Sequence, residues 1–219
     1  MRMRRKKNLT ARLANLNDYL IVPDNDELNF ETSLKTRSYL DFEALFGNRR
    51  PTWLEIGCGK GRFACELAKQ KKNINVLAVE KLSNIIVVGS ERAQLEKISN
   101  LRFLQIGAEY LPKYIKKASV SRIYLNFSCP YPKARYESHR LTSQNFLKIY
   151  KELMAPGAKI YQKTDNRAFF EYSIEQLTQA GFAVNDLSQS PEKNNIITEY
   201  EERFLRQGKA IYSLIGIRN

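Results

Sequence analysis

The densest chemistry in the chain lies where an apolar run ends, at Leu54-Glu55-Ile56-Gly57-Cys58-Gly59-Lys60-Gly61. Alternate glycines give a tight turn, let a ligand approach the backbone and let the next helix pack closely. A dinucleotide loop of the form G-x-G-x-x-G needs glycine at position 62, where the chain has Arg62. No Gly-Lys-Ser/Thr follows to make a P-loop. The remaining pattern is acid-x-Gly-x-Gly-x-Gly. A carboxylate such as Glu55 can complement positive charge on a ligand or anchor a bridging water. Glu80, 19 residues after Gly61, stands where an acid can accept hydrogen bonds from a pair of hydroxyls. An ordinary strand-to-helix turn would need the glycines but neither acid.

A second constellation is Tyr124-Leu125-Asn126-Phe127-Ser128-Cys129-Pro130-Tyr131-Pro132-Lys133, an apolar run that turns polar at its end. Two prolines stiffen the loop and lower the entropy cost of holding a planar base. Tyr131 offers a stacking face, while Lys133, Arg135 and Arg140 offer charge to phosphates. Cys129 offers this loop a thiol, either a nucleophile or a plain loop cysteine. Further on, Asp165 follows Lys163-Thr164, and its carboxylate can accept hydrogen bonds from N–H groups on the edge of a base. The competing reading makes Asp165 a helix N-cap. Thr198 and Glu201 have the spacing of a capping box, with Glu199 and Tyr200 between them.

These residues need a scaffold that brings several loops to one edge. Thr52 to Ile56, Asn75 to Val79, Leu101 to Ile106, Arg122 to Phe127 and Ala158 to Gln162 read as strands. Phe63 to Lys71, Ile85 to Ile98, Ser143 to Met154 and Ala168 to Ala180 read as the intervening helices. Gly157 and Gly181 stand where helix C-terminal stops are expected. The alternation predicts a parallel sheet with helices on both faces. Phe182 to Leu187 and Ala210 to Ile217, around a helical Glu199 to Arg206, add an antiparallel end and complete a seven-stranded sheet. Residues 1–47 form a basic N-terminal extension, with an arm at Arg2 to Lys7, an acidic run at Asp24 to Glu27 and a short helix at Thr36 to Leu45; residues 48–219 form the α/β domain.

Composition narrows the partners. A formal net charge of +13 suits a polyanion, and the excess is spread along the chain. The longest aliphatic run, Ile85 to Val88, is too short to cross a bilayer, and no apolar segment follows the basic start as a secretion signal requires. Cys58, Cys65, Cys129 and the single His139 show no metal-binding spacing, so no metal is expected. An odd cysteine count fits reduced thiols in the cytoplasm.

The glycine loop resembles the S-adenosylmethionine loop of class I methyltransferases, whose cofactor presents an ammonium, a sulfonium and a ribose. The chain as a whole resembles the tRNA (guanine-N7-)-methyltransferase family in its single-chain bacterial form. The resemblance runs from Thr52 to the C-terminus. Its marks are Leu54 to Gly61, Tyr124 to Lys133 with Arg140-Leu141-Thr142, Lys163-Thr164-Asp165-Asn166, and Thr198 to Phe204. It implies a Rossmann-like class I methyltransferase fold, S-adenosylmethionine as cofactor and a guanosine of the tRNA variable loop as substrate. It implies cofactor contacts for Glu55, Gly57, Gly59, Gly61 and Glu80. Backbone groups of Gly107 and Ala108 are expected at the adenine, and Asn126 beside the cofactor. It implies substrate contacts for Lys133, Asp165, Thr198, Glu199, Tyr200 and Glu201, to which Arg135 is added as a phosphate contact. The chain departs from the family pattern in three places: Cys129 stands where an aspartate is usual, Tyr131 replaces a tryptophan, and Gly107 replaces an acid. Asp165 and Cys129 are therefore the two candidates for the reacting centre. Two other functions fit the same residues, an RNA cytosine-C5 methyltransferase using Cys129 as nucleophile and a non-catalytic RNA-binding protein on this fold. A monomer and a homodimer are equally compatible with the sequence.

Overall fold

A computed structural model describes residues 6–23, 36–188 and 196–219. The acidic run Asp24 to Glu27 and the start of the basic arm, Arg2 to Arg5, lie outside the described residues. The chain divides into two compact units, Met1–Tyr114 and Ile115–Asn219.

The first unit holds four parallel strands in the order β1 (Leu20–Ile21), β4 (Leu101–Leu104), β3 (Asn75–Val79), β2 (Thr52–Ile56). Every residue of β3 is buried, as a strand covered on both faces requires. The helices of this unit are α1 (Leu9–Ala14), α2 (Phe42–Phe46), α3 (Arg62–Gln70), α4 (Ser83–Leu95) and the short α5 (Leu111–Tyr114). Helix α3 buries Phe63, Ala64, Cys65, Leu67 and Ala68, one face of a 3.6-residue period. Its C-terminal end is closed by the buried Asn100, whose amide donates to the carbonyls of Ala68 at 3.0 Å and Ile74 at 2.9 Å. A bidentate pair, Arg12 Nε and Nη2 to the Glu91 carboxylate at 2.6 Å, ties α1 to α4.

The second unit holds β5 (Val120–Asn126) parallel to β6 (Met154–Thr164), then β8 (Tyr212–Arg218) and β7 (Phe182–Ser188) as antiparallel neighbours. Its helices are α6 (Gln144–Leu153), α7 (Arg167–Gln179) and α8 (Glu199–Arg206).

Three expectations need correction. The described residues contain eight strands rather than seven, because Leu20–Ile21 pairs with Phe103 and Leu104; two residues leave no periodicity to read. The helix expected over Thr36 to Leu45 begins only at Phe42, capped by Asp41. Before it, the amides of Ser38 and Leu40 donate to the carbonyls of Lys113 and Tyr114, so that backbone is engaged outside any helix. Gly157 does not end a helix: α6 stops at Leu153, and Gly157, at φ 73°, lies within β6 where its register against β5 shifts. Gly181, at φ 77°, follows α7 as expected.

Candidate cofactor and base sites

In the first unit, the glycine loop leaves β2 and is tied at once to its neighbour. The amides of Gly57 and Cys58 donate to the Val79 carbonyl at 2.8 and 3.0 Å. Gly57, Gly59 and Gly61 have φ of 75°, 57° and 71°, a region that costs any other L-residue strain. The positions differ in space. A Cβ on Gly59 meets nothing within 4 Å, so the loop backbone there is open to a ligand. A Cβ on Gly61 would fall 2.7 Å from the Phe103 ring and 3.0 Å from the Cα of Gly89. Gly61 therefore lets α3 start against α4 and β4.

Glu80 braces the loop it follows. Its carboxylate accepts from the Gly59 amide at 3.3 Å and the Leu82 amide at 3.0 Å. A carboxylate has about four acceptor positions, so lone pairs remain for a diol. Glu55 is 2% exposed at the end of β2. Burial, with Glu55 and Glu80 beside it, pushes the Cys58 thiol well above its ordinary value, and burial pushes Cys65 up to about 12. Burial thus disfavours the thiolate form of both. Gly107 follows β4 in extended backbone, with the buried Ala108 after it. A Cβ on Gly107 would fall 2.5 Å from the Glu109 carboxylate. Glu109, the acid two residues on, thus places its carboxylate in the space that a side chain at 107 would fill. An open loop, the buried Glu55, the bracing Glu80 and a third acid after β4 fit an ammonium, a diol and a purine.

In the second unit, β5 ends at the buried Asn126, and Phe127 turns out of the strand at φ 50° with its amide on the Lys163 carbonyl at 2.8 Å. Its ring packs on Tyr200 and Phe204, at 6.3 and 5.7 Å between centroids. Sequence reasoning missed this wall of rings, whose members lie far apart in the chain. Cys129 is exposed. Tyr131 takes a strained φ of 40°, and Arg140 holds it there, donating to the carbonyls of Pro130 at 3.0 Å and Tyr131 at 3.1 Å. The Arg140 guanidinium also lies 4.3 Å from the Tyr172 ring centroid, so Arg140 clamps the loop. Tyr131 meets Tyr136 and His139 at 6.4 and 5.7 Å. Lys133 and Arg135 are exposed, the latter over the Tyr136 ring at 4.8 Å.

Asp165 follows β6, but the N-cap of α7 is Asn166, whose side chain accepts from the Phe169 amide at 2.9 Å. The Asp165 carboxylate instead meets the Lys209 ammonium at 3.3 Å. Thr198 and Glu201 form the full capping box of α8, and the Glu201 carboxylate, fully buried, also takes Lys163 at 3.4 Å. Of that quartet, Glu199 and Tyr200 are exposed. Among the described residues no cluster of metal-ligating side chains occurs, and no helix is long and apolar enough to cross a membrane.

A family model described as "Putative methyltransferase" matches residues 49–214. The tRNA (guanine-N(7)-)-methyltransferase of Geobacillus sp. (strain WCH70) is 41% identical over 172 residues, covering 77% of this chain and 78% of that protein. That of Alkaliphilus oremlandii (strain OhILAs) is 36% identical over 220 residues and covers 99% of both. Among solved structures, a SAM dependent methyltransferase from Aquifex aeolicus matches with TM-score 0.58 at 15% identity, over 98% of this chain and 100% of that one. An antibiotic related methyltransferase matches with TM-score 0.60 at 16% identity, over 90% and 96%. These two share the fold.

Proposed function

Because the chain belongs to the tRNA (guanine-N7-)-methyltransferase family, we propose that it moves a methyl group from S-adenosylmethionine to N7 of a guanosine in the tRNA variable loop. S-adenosylmethionine supplies a methyl carbon made electrophilic by its sulfonium. Glu55 balances the positive charge, the loop from Gly57 to Gly61 receives the cofactor against its backbone, and Glu80 holds the ribose. Guanine N7 carries a lone pair and no proton, so no side chain has to act as a general base. What the protein supplies is alignment. Asp165 orients the base through N1 and N2, and Lys133, Arg135, Glu199 and Tyr200 meet the surrounding RNA. We place the reaction in the cytoplasm.

The observation that carries the base assignment is the division of labour after β6. Asn166 takes the helix cap, which leaves the Asp165 carboxylate, 25% exposed, to recognise a ligand. A cytosine-C5 reaction would need Cys129 as a covalent nucleophile, and direct attack by N7 needs none. The deciding experiment incubates the protein with cofactor and unmodified total tRNA and maps the methylated nucleoside. 7-Methylguanosine in the variable loop is the expected product. 5-Methylcytidine would replace this reading with the nucleophilic one, and no product with no calorimetric binding of cofactor would leave an RNA-binding protein.

A further inference from the structure

Helix α8 ends in a way that aims one side chain. Gly208 adopts φ 68°, its amide donates to the Leu205 carbonyl at 3.0 Å, and the Lys209 amide donates to the Phe204 carbonyl at 3.0 Å. This closure fixes the backbone from which Lys209 starts. Its ammonium then makes two contacts at once: 3.3 Å to Oδ2 of Asp165, and 4.5 Å to the centroid of the Phe204 ring. Phe204 belongs to the wall it forms with Phe127 and Tyr200.

A carboxylate beside an aromatic face is also what a guanine base requires. N1–H and the N2 amino group donate to the carboxylate, and the purine lies on the ring. Adenine offers neither donor on that edge. The ammonium of Lys209 meets the same two demands, positive charge toward Asp165 and a cation–π contact with Phe204. The pair is 47% exposed at Lys209 and 25% at Asp165, so water screens it and holds it weakly. A weakly held cation is exchangeable.

We infer that Asp165 and the Phe204 ring form the receptor for the guanine base, and that Lys209 is its placeholder, filling the receptor in the free protein and leaving when the base enters. This rests on the reading of Asp165 as the guanine-recognising residue. Occupation by Lys209 keeps the carboxylate paired until a ligand with the right donors competes for it, which adds to the discrimination against adenine. Once displaced, the ammonium is free to meet an RNA phosphate.

The test is a ligand-observed NMR titration of guanosine and of adenosine into the full chain, the Lys209→Ala, Lys209→Arg and Phe204→Leu variants, each checked for an unchanged melting profile. Lys209→Ala should bind guanosine about three- to fivefold more tightly, the scale of one screened ion pair, with adenosine unchanged. Lys209→Arg should stay near the parent, and Phe204→Leu, which keeps an apolar side chain but loses the face, should bind guanosine more weakly. Guanosine affinity that is flat, weaker or unmeasurable in both parent and Lys209→Ala overturns the placeholder, as does an equal gain for adenosine. The titration needs no turnover. A parent that makes 7-methylguanosine while Lys209→Ala shows no gain therefore defeats this inference alone.

Discussion

At the scale of single residues, the chemistry asks for a nucleophile that the substrate itself brings. Cys129 is exposed at the end of β5, in a loop whose backbone is fixed by Arg140 and not by the thiol. Removing the sulfur leaves alignment intact, so Cys129→Ala should keep methyl transfer to unmodified tRNA within about threefold of the parent. On the proposed reading, Asp165→Ala removes two charge-assisted hydrogen bonds to the base, each worth roughly 1.5–3 kcal/mol. It should then lower kcat/KM by at least about a hundredfold. Initial rates at varied tRNA concentration check both, and near-complete loss with Cys129→Ala beside little loss with Asp165→Ala would reverse the assignment. The candidate site was legible in the sequence where its parts are local. Glu55, the glycines and Glu80 announce themselves through spacing along one strand–turn–helix and the next strand. The clamp made by Arg140 and the pairing of Lys209 were missed because their partners are set by tertiary closure: Arg140 reaches back to a strained loop, and Lys209 reaches Asp165 across 44 positions of sequence.

At the scale of elements, the glycines of the cofactor loop separate two physical demands. Gly59 needs only its left-handed backbone, and Gly61 needs that and the absence of a Cβ against Phe103 and Gly89. Gly59→Ala should cost about 1–2 kcal/mol from backbone strain alone. Gly61→Ala should cost about 2–4 kcal/mol, because overpacking at the junction of α3 with β4 adds to the same strain. Equal costs in denaturant unfolding would show that the close approach carries no energy. The loop after β5 gives a second test. Arg140→Ala removes the donors that hold the Pro130 and Tyr131 carbonyls, so KM for tRNA should rise several-fold while calorimetric affinity for S-adenosylmethionine stays level. A matching loss of cofactor affinity would mean that Arg140 supports the fold rather than the loop. The elements themselves were legible in proportion to their burial. β2 and β3 begin and end as read from the sequence, since strands that are largely buried are written mostly in apolar residues, with Thr52, Glu55 and Asn75 as the polar exceptions. β6 runs from Met154, four residues earlier than its apolar pattern suggests, because Ala155-Pro156-Gly157 reads as a helix stop and turn. The two-residue β1 depends on pairing with β4 and has no pattern of its own.

At the scale of the whole molecule, part of the basic excess is consumed internally. Arg12 pairs with Glu91, and Arg92 and Lys69 pair with Glu66 and Glu96 at 2.7–2.9 Å. Hydrogen bonding to Arg12 holds Glu91 below its ordinary carboxylate value of 4.5, and hydrogen bonding to Arg92 and Lys69 does the same for Glu96. Depressed folded-state values mean that these groups contribute stability above the unfolded carboxylate range and lose it as pH falls through the lower folded values. Thermal melts from pH 7 downward should therefore show a loss of stability beginning near pH 4.5 that is smaller in Glu91→Gln. The remaining charge is available to RNA. With a net charge of +13, displacement of condensed counterions from tRNA should dominate binding, whereas the contacts proposed for S-adenosylmethionine are local carboxylates and glycine backbone. Raising salt from about 50 to 200 mM should weaken tRNA binding by at least about tenfold. Cofactor affinity should change by less than about twofold over the same range. The two titrations share one protein and one buffer series, so they separate long-range charge from site chemistry directly. A tRNA affinity as insensitive to salt as that of the cofactor would show that base and shape contacts hold the RNA, and that the basic excess serves something other than the substrate.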